Sequence, residues 1–421
     1  MGYPPKSVGG TEVYVQALTR ELSLQGHRVT VVVPSENENT ESDELADARQ
    51  MSLADFNDFI SGSRFDVVHG HPLFTSQFLS HLQICRQKGI PIIITYHTPT
   101  LSCGRGDLLL YGKRPCDGEV LQRRCTACIL QQKGLPVAIG HVLALLPVFD
   151  ALKNILPIGK LHSMISIPAQ VHQNRESLQQ LLALTSHWVA VSKWAKKVIE
   201  INSGDADIIS VHRQAYCYEL ASSIVKPAFE IGSMERRLRI GFLGRIHPYK
   251  GLHVLLQALH YLPSEKFEVC IAGDKSTIAP GYKQKLEIDL RGDPRVKWFG
   301  KIEPGLVPDF LAKMDVLVVP SVWLETGPMT VLEAWANGVP IIGSARGGIE
   351  EWVHEYGGGL LFPAGNSRAL ALIIKGLVNK NLEFPPVPVD EKLFSMKIVA
   401  RTMTKLYKHE VRQKDALDVA D

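Results

Sequence analysis

The sequence predicts two doubly wound α/β domains, each a parallel sheet covered by helices, facing each other across a cleft. Three observations carry that expectation. The 421 residues exceed what one ordinary core holds. Short Val- and Ile-rich runs, apolar on both faces, alternate with helical patterns, as parallel strands between two helix layers do. The alternation runs twice, with a patternless stretch at 215–237 between the two series.

In the first series, strands are expected at Arg28–Pro34, Phe65–His71, Pro91–His97 and His187–Ser192. A helix over Thr11–Gln25 comes before all of them, closed by Gly26, a suitable residue just past a helix end. A doubly wound domain should open on a strand, and "MGYPPKSV" is not one. The first strand is therefore missing, and the expectation is a true start about ten residues upstream, a strand plus its lead-in. A Cys-bearing and apolar insertion occupies about 101–183. Its longest apolar run, Leu135–Phe149, is too short and too interrupted to span a bilayer. It reads either as a buried helical insertion or as a helix lying against a membrane surface. In the second series, strands are expected at Arg239–Arg245, Phe267–Gly273, Val296–Gly300, Asp315–Ser321 and Val339–Ser344.

A hydrophobic content of 45% and a charged content of 21% describe a globular chain. A net charge of +3 gives no case for nucleic acid, which demands a concentrated basic face. The first residues lack the apolar segment of a secretory signal, and seven cysteines is an odd count. A reducing cytoplasm is the expectation. No G-x-G-x-x-G follows a strand, which counts against a dinucleotide-dependent oxidoreductase or epimerase.

Two motifs fall on loops that follow strands, where ligands of such sheets bind. Gly244-Arg245-Ile-His-Pro-Tyr-Lys250-Gly251 joins a strand to a helix. Its two cations beside glycines and a helix N-terminus suit a diphosphate; a solvated basic loop is the other reading. Glu325 and Glu333 stand with seven residues between them, around Pro328 and a short helix ended by Gly338. Burying unpaired carboxylates is costly, so each needs a partner. Vicinal hydroxyls of a ligand suit both acids, as an acidic residue holds a ribose in dinucleotide folds. A helix-dipole role accounts for Glu325 but poorly for Glu333.

"GRIHPYKG", "PSVWLETGPMTVLEAWANGVPIIGSARGGIEEWV" and the opening "GGTEVYVQALTRELSLQGHRVTVVVP" together resemble the retaining family 4 glycosyltransferases of the GT-B fold. The resemblance covers most of the chain in the right order and is weakest from about Cys103 to Ala183. It implies a nucleotide-sugar donor and a hydroxyl acceptor; the apolar insertion and mild positive charge point to a saccharide or lipid-linked saccharide met in the cytoplasm or at the inner membrane face, which fits surface polysaccharide synthesis. It implies further that Arg245 and Lys250 hold the donor diphosphate, that Glu333 binds the ribose, and that Glu325 contacts the sugar near the reacting carbon. Gly244, Gly327, Pro328, Met329 and Thr330 fall at donor-binding positions, and Gly9-Gly10 brings the other domain's backbone to the phosphates. His97 matches a functional histidine facing the donor sugar. No cofactor is required for the chemistry. The commonest family pattern has Pro-Phe-Gly after the first acid; here it is Thr326-Gly327-Pro328, and Pro328 has no N–H to offer.

The expected organisation is then an acceptor-side Rossmann-like domain at 1–214, a linker at 215–237, a nucleotide-sugar domain at 238–394, and a terminal helix at 395–421 packing back on the first domain. His69 and His71 also fall at strand carboxyl ends and read as structural hydrogen-bonders. Cys103, Cys116, Cys125 and Cys128, spaced C-x12-C-x8-C-x2-C, read as a structural zinc knot or as reduced thiols packing the insertion. Asp205-Ala-Asp207 mimics a metal-binding D-x-D but reads as turn chemistry. A non-catalytic nucleotide-sugar-binding protein of the same fold is the alternative function.

Overall fold

The computed structural model describes residues 9–34, 47–51, 53–71, 76–145, 160–216, 237–263, 266–290, 292–388 and 395–418. Most of the linker expected at 215–237 therefore lies outside the described residues. The chain divides into two compact units, 1–213 with 396–421, and 214–395.

The first unit opens on α1 (Gly10–Leu24), with Gly9 as its N-cap. It continues through β1 (Thr30–Pro34), β2 (Asp47–Met51), α2 (Leu53–Gly62), β3 (Val68–Gly70), α3 (Ser76–Gln87) and β4 (Ile92–Tyr96). After the insertion come β7 (His187–Ala190), α8 (Lys193–Ser203) and β8 (Ile209–Val211). Strands β3, β4, β7 and β8 form one parallel sheet in that order, and β1 pairs with β2 separately. All five residues of β4 are buried, as expected of a strand covered on both faces. Among the described residues no strand precedes α1.

The insertion is a small helical lobe. A two-stranded hairpin, β5 (Leu109–Leu110) with β6 (Arg114–Pro115), leads into α4 (Gln122–Gln132) and α5 (Val137–Leu143), then α6 (Lys160–Ile165) and α7 (Ile167–Leu184). Leu130, Ile167 and Val171 form its core, with Leu135, Leu143 and Met164 against them. The apolar run is only partly buried, however, because Ile139 and Val142 of α5 and Leu145 beyond it are exposed. Among the described residues no helix is long and apolar enough to cross a membrane.

The last helix, α15 (Met396–Asp418), belongs to this first unit and packs on α1. Three residues at three-residue spacing, hence along one face, each meet a histidine of the unit. His27 Nε2 lies 3.0 Å from Thr404, His69 Nδ1 lies 2.7 Å from the Tyr407 hydroxyl, and His187 Nδ1 lies 3.4 Å from Glu410.

The second unit runs β9 (Leu238–Leu243), α9 (Leu252–Leu259), β10 (Phe267–Ala272), α10 (Pro280–Leu290), β11 (Val296–Gly300), α11 (Val307–Leu311) and β12 (Val316–Val319). It closes with α12 (Met329–Ala336), β13 (Ile341–Ser344), α13 (Gly347–Tyr356), β14 (Gly359–Phe362) and α14 (Ser367–Val378). The six strands are parallel, in the order β11-β10-β9-β12-β13-β14. Alternate residues of β12 face opposite cores: Val316 and Val318 join α9 and α14, whereas Leu317 and Val319 join Trp335 and Trp352. The sequence indicated five of these strands; β14 was missed. The order reverses between β9 and β12, so their successor chains depart to opposite sides and leave a crevice at the two carboxyl ends.

Candidate active site

Both sequence motifs arrive at that crevice. The loop after β9 carries Gly244 and Arg245 and tightens into a one-turn helix, Pro248–Lys250. Gly251 follows at φ +72°, and a Cβ there would lie 1.9 Å from the Pro320 carbonyl oxygen. Only glycine lets this loop come so close to the one after β12. The Val322 N–H donating to the Tyr249 carbonyl at 2.8 Å ties the two loops together.

This closeness gives Glu325 its partner. Lys250 Nζ donates to Glu325 Oε1 at 2.7 Å, and the Ser321 hydroxyl donates to the same oxygen at 2.6 Å. Glu325 is 4% exposed. Burial pushes its carboxyl up, but the Lys250 ammonium and these hydrogen bonds more than offset that and hold it below the usual carboxylate value. Lys250 also lies 5.6 Å from the centre of the Trp323 ring, which stacks on Tyr249 at 5.6 Å and 12°. The aromatic pair thus backs the lysine with a π face.

Glu333 differs. It sits in the second turn of α12, whose N-cap is Pro328, one residue earlier than a first-turn proline would stand. Burial drives its carboxyl up to about 7, with Lys250 pulling the other way. The two acids therefore separate into an ionised, paired Glu325 and a Glu333 that loses its proton at a higher pH than an ordinary carboxyl. Gly327, Met329 and Thr330 surround the start of α12 and are partly buried. The Gly348 N–H donates to the Glu325 carbonyl at 2.8 Å, fixing that backbone from the side of α13. Arg245 is exposed. Burial and then the charges of Arg245 and Lys250 lower the pKa of His247 between them, so the loop is a concentrated positive lip.

In the first unit, His97 follows β4 and is buried. Its Nε2 lies 2.8 Å from His71 Nδ1, and the Tyr14 ring of α1 stands edge-on to both imidazoles. Gly9 and Gly10 begin that same helix. His69 instead bonds Thr95 and Tyr407, each at 2.7 Å.

The four clustered cysteines gather in the insertion, close enough for Cys103 to act electrostatically on Cys116, Cys125 and Cys128. Among the described residues no group of three or more His, Cys, Asp or Glu is arranged to hold a metal ion. Three of the thiols have polar neighbours: Cys128 accepts the Tyr111 N–H at 3.1 Å, Cys125 reaches the Glu119 carbonyl at 3.9 Å, and Cys116 reaches Asp117 at 3.7 Å. Burial pushes the Cys125 thiol up to about 11, with Cys103 and Cys116 adding to the rise. The lobe is fastened by the Arg105–Asp107 ion pair at 3.2 Å, almost fully buried, and by Arg105 donating to the Cys128 carbonyl at 3.1 Å. Asp205 accepts the Asp207 N–H at 2.9 Å in an exposed turn.

Sequence reasoning missed Ser321, Trp323 and Tyr249. Ser321 and Trp323 lie within the stretch that drew attention to Glu325, but a serine or tryptophan there carries no charge pattern to notice. Tyr249 meets Trp323 only because the two loops fold together.

A switch-point crevice lined by a lysine, an ionised acid and an acid whose pKa burial raises defines a Rossmann-like α/β protein with a built polar ligand site. Two family models match the chain: "Glycosyl transferases group 1" over residues 227–386 and "Glycosyltransferase Family 4" over residues 8–124. The chain belongs to the family 4 glycosyltransferases of the GT-B fold. It is 30% identical over 128 residues to the D-inositol 3-phosphate glycosyltransferase of Corynebacterium efficiens, covering 29% of this chain and 30% of that one. It is 26% identical over 225 residues to the amylovoran biosynthesis glycosyltransferase AmsK of Erwinia amylovora, covering 52% and 53%. The matches thus span 30% and 53% of the length of those relatives. In fold it resembles Anabaena HepE, solved with UDP-glucose, at a TM-score of 0.57 and 14% identity over 99% of this chain and 97% of HepE.

Proposed function

We propose that the chain is a retaining glycosyltransferase that moves a hexose from a nucleotide-sugar donor to a hydroxyl of a saccharide or lipid-linked saccharide, in surface polysaccharide synthesis. The observation that carries this reading is the Lys250–Glu325 contact of 2.7 Å at the switch point, beside a buried Glu333. Arg245 and Lys250 take the donor diphosphate, and Glu333 takes the ribose hydroxyls. Glu325 takes the sugar near its anomeric carbon, with amides at Gly327, Met329 and Thr330 orienting it. The acceptor hydroxyl attacks on the face from which the diphosphate leaves. The C–O bond to the diphosphate breaks as the new C–O bond forms, and the acceptor's proton passes to the departing phosphate oxygen. Two cations and the N-terminus of α12 stabilise the leaving group, so the chemistry needs no metal of its own.

The names of the relatives support a polysaccharide role, AmsK being a biosynthetic enzyme of amylovoran. The exposed apolar side chains Ile139, Val142 and Leu145 support contact with the inner face of a membrane, where a lipid-linked acceptor would be met. A thermal-shift screen with UDP, GDP and ADP and their sugars tests the donor, because a ligand that binds the folded state raises its melting temperature. Sugar release or transfer from the stabilising donor then separates an enzyme from a non-catalytic binding protein. No shift with any nucleotide would overturn the reading.

A further inference from the structure

The loop after β13 holds the Glu325 loop at two points. Arg346, the N-cap of α13, donates from Nη1 of its guanidinium to the Val322 carbonyl. Two residues on, the Gly348 N–H donates to the Glu325 carbonyl at 2.8 Å. Between these points the two loops touch: Gly347 has φ +59°, and a Cβ there would lie 2.9 Å from the Glu325 carbonyl oxygen. The hold therefore spans 322–325, the short run that ends on the buried acid.

Val322 is held from its other side as well. Its N–H donates to the carbonyl of Tyr249, the residue before Lys250, at 2.8 Å. The loops after β9, β12 and β13 thus meet at one residue. Arg346 is half-buried. Burial lowers the pKa of its guanidinium, and Glu350 raises it. A hydrogen bond from a charged donor is among the stronger kinds, so this link fastens the run more firmly than an amide would. Without it, Val322 would be tied to the β9 loop alone.

We propose that Arg346 is a positioning residue, which by holding the Val322 carbonyl sets 322–325 against the β9 loop and keeps Glu325 Oε1 on Lys250 Nζ. Its bearing on sugar transfer rests on the reading given under the proposed function; its bearing on the Lys250–Glu325 contact does not. The gain is preorganisation: a donor that meets the acid and the lysine already in register does not have to assemble them.

A double-mutant cycle run in two backgrounds tests this. The coupling between Lys250→Ala and Glu325→Gln in urea unfolding is measured in the native protein and in Arg346→Met, which keeps the length but loses the donors. The coupling is expected to fall by about half or more in Arg346→Met, and to return in Arg346→Lys, which can donate to the same carbonyl. An arginine that merely adds stability would lower the urea midpoint and leave the coupling intact, a result that would overturn the proposal. In sugar transfer, Arg346→Met is expected to lower kcat roughly tenfold with the donor KM within about threefold of native, and Arg346→Lys to recover most of the loss. An unchanged kcat would count equally against it. Native protein that transfers no sugar would remove the functional reading, and the cycle alone would then decide the role of Arg346. Should Arg346→Met fail to fold, native protein labelled with 15N-arginine decides, the Arg346 signals being assigned by their loss in Arg346→Lys. Slowed rotation of that guanidinium supports the proposal; free rotation sinks it.

Discussion

Lys250 Nζ lies 2.7 Å from Glu325 Oε1, across a sequence gap of 75 residues. The contact places a cation and a buried carboxylate where the sheet's strand order reverses. Lys250→Ala would leave Glu325 buried without its main counter-charge. We expect a loss of about 1–3 kcal/mol in urea unfolding, because a stranded buried charge costs more than the pair contributed. The double variant Lys250→Ala/Glu325→Gln should recover part of that stability yet remain inactive in sugar transfer. Equal stability of the single variant and wild type would show that the pair contributes nothing measurable.

Glu333 titrates near 4.5 when unfolded and near 7 when folded. Between those values the folded state holds the proton that the unfolded state has lost. Stability therefore falls as pH rises through that window and levels off above it, a total of about 3 kcal/mol at most. Glu333→Gln has no proton to lose. It should remove this slope and be more stable than wild type at pH 8, while binding nucleotide more weakly. Melting curves across pH 4.5 to 8 check the slope, and titration with the donor checks the affinity.

Gly251→Ala should be among the most damaging single changes in the second unit. An added Cβ meets the Pro320 carbonyl at 1.9 Å, in a left-handed backbone that alanine resists. The two loops must part, at a cost of roughly 3 kcal/mol or more. Lys250 then withdraws from Glu325, so kcat should fall even at temperatures where the variant is folded. A normal melting temperature would count against the close approach.

Tyr407→Phe removes one hydroxyl and leaves a ring nitrogen of His69 without that partner. We expect a loss of about 1–3 kcal/mol and faster amide exchange along α15, with nucleotide binding by the second unit unaffected. Unchanged exchange protection in α15 would show that its hold on the unit lies elsewhere.

The alternation of apolar runs and helices was enough to read two parallel-sheet units, and the cations and acids lie where strand ends put them. β14 escaped notice because Gly-Leu-Leu-Phe has no β-branched residue, and β2 because Asp-Ala-Arg-Gln-Met has no apolar run. Sequence spacing does not by itself tell what Cys125 and Cys128 face. Three apart on α4, they share a helix face, yet Cys128 faces the hairpin N–H of Tyr111. Only the fold assigns different states to Glu325 and Glu333. They look alike in sequence, and the difference comes from Lys250 and Ser321 reaching one oxygen of the first.

The second unit is one unbroken stretch of chain, whereas the first is finished by α15, which is made last. On the ribosome, residues 214–395 are all synthesised before α15. The second unit is thus fully made while the earlier-made unit still waits for its final helix, with His27, His69 and His187 not yet met by Thr404, Tyr407 and Glu410. Order of synthesis and order of completion are reversed, and the half begun first is the half closed last.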